Sequence, residues 1–198
     1  MTNEKFNKLA LPQQRVAIAR DVIAQIDAHK YFGSSQYLII RDKKLRRKVE
    51  DADTSQLCSV LGEIETCEVC ARGALFLSTI RLKNHFQINE LRIDDGNVSI
   101  RYDTLEHSLE RAFTKYQQAM IEYAYEGWDV AHVFADAFHE GVTGGNPLLE
   151  DIFDQLKHSL ESFSMRYKND DNRLKAIMRN IIRNKGEFKP VKYVLDVK

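Results

Sequence analysis

The run from Thr66 to Phe86 constrains the fold more than any other stretch of this chain. It is the least polar helix-length segment present. Val69, Gly73, Phe76, Leu77 and Ile80 fall on one helical face, and Cys67, Cys70, Ala74 and Leu77 on the adjoining one. A helix apolar on more than one side belongs in the interior. Ala71, Gly73 and Ala74 are small, so a neighbouring helix can approach closely. The expectation is a central helix over Thr66–Phe86, with Phe76, Leu77 and Ile80 buried.

Helical patterns surround it. Pro12 suits a first helical turn, and Leu11, Ile18, Val22 and Ile26 share a side. Gly33, Ser34 and Ser35 break the chain, and Tyr37–Ile40 reads as a short strand. Leu57–Ile64 reads as a short helix. Leu91–Ile93 and Val98–Tyr102 alternate apolar and polar around Asp95-Gly96, which is a β-hairpin signal. Capping-box spacing at Asp103/Glu106 and Thr114/Gln117 predicts helices over Thr104–Phe113 and Lys115–Glu126, with Gly127 ending the second. Trp128–Glu140 reads as a further helix. Asn146-Pro147 opens one running to about Lys168, and Asp170 or Asp171 caps the last. Leu174, Ile177, Met178, Ile181 and Ile182 give that last helix the sharpest apolar stripe in the chain, stopped at Gly186. Tyr193–Val197 reads as a terminal strand. The fold class is therefore mainly α: one compact multi-helix domain over residues 1–198, with a central buried helix and a small β-hairpin or sheet.

The 198 residues carry 29 basic and 29 acidic side chains, so formal charge is zero. That excludes a broad electrostatic grip on nucleic acid or anionic lipid, though local patches remain open. No apolar run is long enough to span a bilayer. Met1–Lys5 lacks the apolar core of a secretory leader, and three cysteines is a low, odd count. A cytoplasmic, reducing setting is expected.

Several groups have chemical potential. Cys67-Glu-Val-Cys70 lies near a helix start, where a thiolate would feel the helix dipole. A thioredoxin-like motif normally follows a strand, and here the preceding segment reads as helical. The same pair could join Cys58 and His85 as a zinc site. Buried structural thiols without metal are the favoured alternative. His132, Asp136 and His139, with Asp129 and Glu140, share a polar helix side that a metal could use alongside Glu150, Asp151 and Asp154. A solvated face explains the same pattern. Gly141–Pro147 resembles a phosphate-cradling loop but lacks the Gly-Lys-Ser/Thr ending.

Two basic stretches complete the inventory. Arg41–Lys48, with Arg46 and Arg47 at its centre, has no aromatic residue among its cations to stack on a base. Lys175, Arg179 and Arg183 lie in a row on the last helix, opposite its apolar stripe. Either would suit a nucleotide or an acidic partner. Plain solubility is the favoured reading of both, with the first cluster answered by Glu50, Asp51 and Asp53. No nucleophile elbow or dinucleotide fingerprint is present.

Three segments carry a family resemblance. They are Leu11-Pro-x-x-Arg15-x-Ala-Ile-Ala19-x-Asp21, Cys67-x-x-Cys70-Ala71-x-Gly73-Ala74-x-Phe76, and Ile177-Met178-Arg-Asn180-Ile181-Ile182-Arg-Asn184-Lys-Gly186-Glu-Phe188-Lys-Pro190. Together they resemble uncharacterised accessory proteins encoded by tailed bacteriophages. The resemblance implies no activity and no catalytic residue. It implies a setting in host bacterial cytoplasm, where such a protein binds a host factor or defence component, or sequesters a small nucleotide. The leading expectation is thus a non-enzymatic binding protein. A metal- or thiol-dependent enzyme or sensor and a nucleotide or nucleic-acid binder are the alternatives. Homo-oligomerisation stays open.

Overall fold

The sequence patterns above translate into a mainly helical structure with eight helices and a small three-stranded mixed sheet among the described residues. The computed structural model describes residues 3–52, 56–83, 92–94, 97–99, 109–127, 132, 135–136, 138 and 147–190, with backbone alone at 3, 57–58, 92–94, 97–99 and 147–151. In chain order the elements are α1 (Asn3–Asn7), α2 (Leu11–Asp27), β1 (Tyr31–Gly33), β2 (Leu38–Ile40), α3 (Lys43–Asp51), α4 (Leu57–Gly62) and β3 (Cys67–Val69). Then follow α5 (Ala71–Leu82), β4 (Arg92–Asp94), β5 (Asn97–Ser99), α6 (Lys115–Glu126), α7 (Pro147–Met165) and α8 (Asp170–Arg183).

Every residue of α5 from Ala71 to Ile80 is buried, including Phe76 at 0% and Ile80 at 7% exposure. Helices α2, α4 and α6 pack around it. The predicted central helix starts later than the sequence pattern suggests. Cys67–Val69 is a strand, pairing parallel with β1 and antiparallel with β2. Cys70 then caps α5, its Sγ accepting from Gly73 N at 3.5 Å. A continuous apolar run fits a buried strand and a buried helix equally, so periodicity alone places the boundary wrongly. The close approach at Gly73 is also made by a different partner. The Tyr37 backbone just before β2 sits against it, where a neighbouring helix was expected.

Local rules hold at most helix ends. Pro12 lies in the first turn of α2. Asp42 caps α3, accepting from Lys44 N at 2.7 Å and Leu45 N at 3.1 Å, and its carboxyl is held below the usual range by those amides. Thr114 caps α6 through Gln117 N at 3.3 Å. Gly127 ends α6 with φ +77°. Helix α8 is capped by Asn169, whose Oδ1 accepts from Asn172 N at 3.0 Å. Asp170 and Asp171 fall in its first turn instead, where Asp171 accepts from Gly33 N of β1. Leu174, Ile177, Met178 and Ile181 are fully buried against α2. Gly186 reverses the chain at φ +102°, pressed against the Pro12 backbone.

Strands β4 and β5 pair antiparallel, as the alternation predicted, and the pairing Arg92↔Ser99, Ile93↔Val98 and Asp94↔Asn97 takes in Asp94 and Asn97 as well. Predicted elements over residues 101–108, over most of Trp128–Glu140, and at Tyr193–Val197 lie outside the described residues.

Candidate functional site

A groove of about 1160 Å³ opens between α6, α7, α8 and the segment that follows α8. Each element contributes a face for a reason visible in its sequence. Helix α6 buries Tyr123 and Ala124 toward the core and turns Tyr116, Gln117 and Met120 to the groove. Helix α7 buries Leu160 and presents Gln155 and Phe163, and the turn that follows it presents Arg166. Helix α8 sends its apolar stripe to α2, which leaves Ala176, Arg179, Asn180, Arg183 and Asn184 lining the opening.

The fourth wall is residues 187–190, folded back along α8. The Asn180 side chain clamps this strap in both directions. Its Nδ2 donates to Lys189 O at 2.6 Å, and its Oδ1 accepts from Lys189 N at 2.8 Å. Asn184 Nδ2 supports that Oδ1 at 2.8 Å. Gln117 Oε1 accepts from Phe188 N at 2.8 Å, joining the strap to α6. Phe188 is buried edge-on against Phe163, with centroids 5.6 Å apart. Tyr116 and Tyr167 keep part of their surface at the groove.

The electrostatics of the lining are one-sided. Arg166, Arg179, Arg183 and Lys189 line it, and no carboxylate does among the described residues. Lys189 is answered by Glu187 at 2.7 Å, which lowers the Glu187 pKa. Arg166, Arg179 and Arg183 are exposed and form no ion pair among the described residues. Three guanidiniums over a partly aromatic floor would hold an organic anion. The lining carries no His, Cys, Ser, Asp or Glu among the described residues, so it offers binding groups and no obvious nucleophile or general base.

The groove gathers two of the five basic candidates from the sequence, Arg179 and Arg183. Lys175, on the same row of α8, instead pairs with Asp27 of α2 at 2.6 Å, and this contact holds the Asp27 carboxyl below its usual pKa. Arg46 donates to Ile40 O at 2.8 Å and packs α3 onto β2. Arg47 is exposed on α3, and neither it nor Arg46 lines the groove. Arg166 and the aromatic lining escape sequence reading because they are drawn from positions 116 to 190 with no shared motif.

Cys67 and Cys70 are buried free thiols, and burial pushes both up to a pKa of about 12. Cys67 lies inside β3 and only Cys70 stands at the helix start, so the pair does not take the place of a redox motif after a strand, and desolvation dominates at both thiols. The Cys58 side chain and His85 lie outside the described residues. No group of three or more His, Cys, Asp or Glu poised for a metal occurs among the described residues. His132 and Asp136 are exposed on one helical turn, and His139 lies outside the described residues. Residues 141–146 of the glycine-rich loop do so too.

A second polar cluster lies deep in the protein. Arg72 Nη1 meets Glu122 Oε2 at 2.7 Å, with side chains 1% and 3% exposed. Glu122 Oε1 accepts from Tyr37 Oη at 2.8 Å, and Arg72 lies over the Tyr37 ring at 6.0 Å. Burial raises the Tyr37 pKa, and neighbouring Glu122 adds to it. The cluster ties α5, α6 and the turn before β2 together. Its inaccessibility makes it a structural tie. Tyr123 Oη similarly donates to Glu161 at 2.8 Å and joins α6 to α7 beneath the groove.

No helix among the described residues is long and apolar enough to cross a membrane. No family of proteins, no curated protein and no solved structure matches this chain.

Proposed function

We propose that this chain is a binding protein that captures a small organic anion in the groove between α6, α7 and α8. The observation that carries this reading is the set of three exposed guanidiniums at Arg166, Arg179 and Arg183, which among the described residues make no ion pair and share a lining with no carboxylate. Arginines that face one groove without ion pairs repel one another, and an anion relieves that repulsion. Half-buried tyrosines give a ring-bearing ligand a stacking surface. The absence of acid, base and nucleophile from the described lining favours capture over chemistry. The phage resemblance of Leu11–Asp21 and Ile177–Pro190 gives such capture a setting, sequestration of a host nucleotide or other metabolite. The second of those segments supplies Arg179, Asn180, Arg183 and Phe188 to the groove.

The test is calorimetric titration of the full chain with a panel of organic mono- and oligophosphates. The double variant Arg179→Ala/Arg183→Ala should lose about tenfold or more in affinity, since hydrogen bonds to charged groups are worth about 1.5–3 kcal/mol each. Arg46→Ala/Arg47→Ala should bind like the parent. Equal losses in both variants would remove the groove from the account.

A further inference from the structure

Charge and spacing in the groove allow the ligand class to be narrowed, an inference that rests on the reading of the groove as an anion site. We infer that its ligand is a nucleoside diphosphate: a flat base, a sugar and a two-phosphate chain.

Three observations converge on this class. The first is charge. Lys189 is paired with Glu187, and Arg179 feels the Asp27 carboxylate without pairing to it, so the cations of the described lining outside any ion pair are Arg166, Arg179 and Arg183. A terminal phosphate monoester brings about −1.5 to −2 near neutral pH, and a second, bridging phosphate brings the total to about −3. A monophosphate leaves one arginine unanswered, and a longer chain exceeds the three.

The second is spacing. Arg179 and Arg183 sit one turn apart on α8 and both line the groove. Side chains at that interval start about 5–6 Å apart and run parallel, so their planar forks can grip neighbouring phosphates of one chain. Arg166 comes from the turn just after α7, which ends at Met165, and lines the same groove from a separate element.

The third is the remaining lining. Tyr167 follows Arg166 in the chain and stays half-buried at the groove, tilted on Phe163 with centroids 5.5 Å apart. It is a supported ring with one surface to offer a base. Asn180 is spent on the Lys189 strap, while Gln155 is exposed and lines the opening from α7. Gln155 is therefore the amide placed to read a base edge. The groove volume of about 1160 Å³ takes a base, sugar and two phosphates with room to spare.

The experiment is calorimetric titration of the full chain, at about 50 mM salt to limit screening. The titrants are AMP, ADP, ATP, inorganic pyrophosphate and a short oligothymidylate. ADP should bind at least about tenfold tighter than AMP and ATP no tighter than ADP, whereas ATP binding tighter than ADP would overturn the diphosphate class. Pyrophosphate alone should fall about tenfold or more below ADP, because the tyrosine surface goes unused. Arg166→Ala is exposed and should keep its melting temperature while reducing ADP to the level of AMP. Tyr167→Leu should weaken ADP and leave pyrophosphate unchanged. Equal affinity for AMP and ADP would overturn the diphosphate class and leave the anion site standing. Preference for the oligothymidylate would overturn it in favour of a single-stranded nucleic acid. Failure of every titrant to bind would overturn both the class and the anion reading beneath it.

Discussion

Replacing Gly73 by alanine should be among the most damaging single-methyl changes in this protein. A Cβ there would land 2.9 Å from the Tyr37 carbonyl carbon, and closer still to its oxygen. Carbon atoms ordinarily rest about 3.5–4.0 Å apart, so one of two backbones must move by an ångström or so. Neither is free to do so. Cys70 N donates to Gln36 O at 2.8 Å, and Tyr37 Oη is anchored on Glu122 at 2.8 Å. Overpacking costs about 1–3 kcal/mol and occasionally more, while alanine returns about 0.8–1 kcal/mol of helix propensity. With pinned backbone on both sides the clash belongs at or above the top of its range, for a net loss of about 2 kcal/mol. In a chain of this size that lowers the melting temperature by about 4–8 °C. Gly62→Ala is the matched control. Nothing lies within 4 Å of its added Cβ, so the same chemical change should be neutral or raise the melting point by up to about 3 °C. Far-UV circular dichroism melts of both variants decide the matter. A Gly73→Ala melt indistinguishable from that of Gly62→Ala would refute the packing of α5 against the turn before β2.

Further expectations follow from the buried groups and the strap. Glu122→Leu should cost about 3–5 kcal/mol by stranding Arg72, and the double variant Arg72→Met/Glu122→Leu should recover much of that loss in denaturant melts. Cys67 and Cys70 should resist a thiol reagent at pH 8 in the folded protein and react on unfolding. Their folded pKa of about 12 lies above the ordinary 9.0, so the unfolded chain loses protons first. Stability from this source is complete below pH 9 and declines between about pH 9 and 12, readable as a falling denaturation midpoint. Asn180→Ala should speed hydrogen exchange at the Lys189 amide and weaken anion binding together, since it releases one wall of the groove while deleting no cation.

Much of the helical frame was legible because its signals are local. Pro12, Thr114, Gly127 and Gly186 act through their own backbone, and the α8 stripe reports its burial by its spacing alone. The strands β1 and β3 were hidden because three residues are too few to show a period. Cys67–Val69 gave the same apolar signal as the helix behind it. The Arg72–Glu122 tie left no trace, since its partners are 50 positions apart and each sits in an unremarkable helix. Two of the four lining cations were visible as the Arg179/Arg183 row. Lys175 belongs to that row in sequence, yet Asp27 takes it in space. Arg166, Tyr167 and Tyr116 join the site only through the packing of α6, α7 and α8, which no spacing encodes.

Hydrogen-exchange mass spectrometry of the full chain with and without ADP tests the central claim most directly. The account predicts slowed exchange at residues 116–120, 163–167 and 179–190, with none at Arg41–Lys48. Protection confined to Arg41–Lys48, or no protection anywhere at saturating ligand, would contradict it.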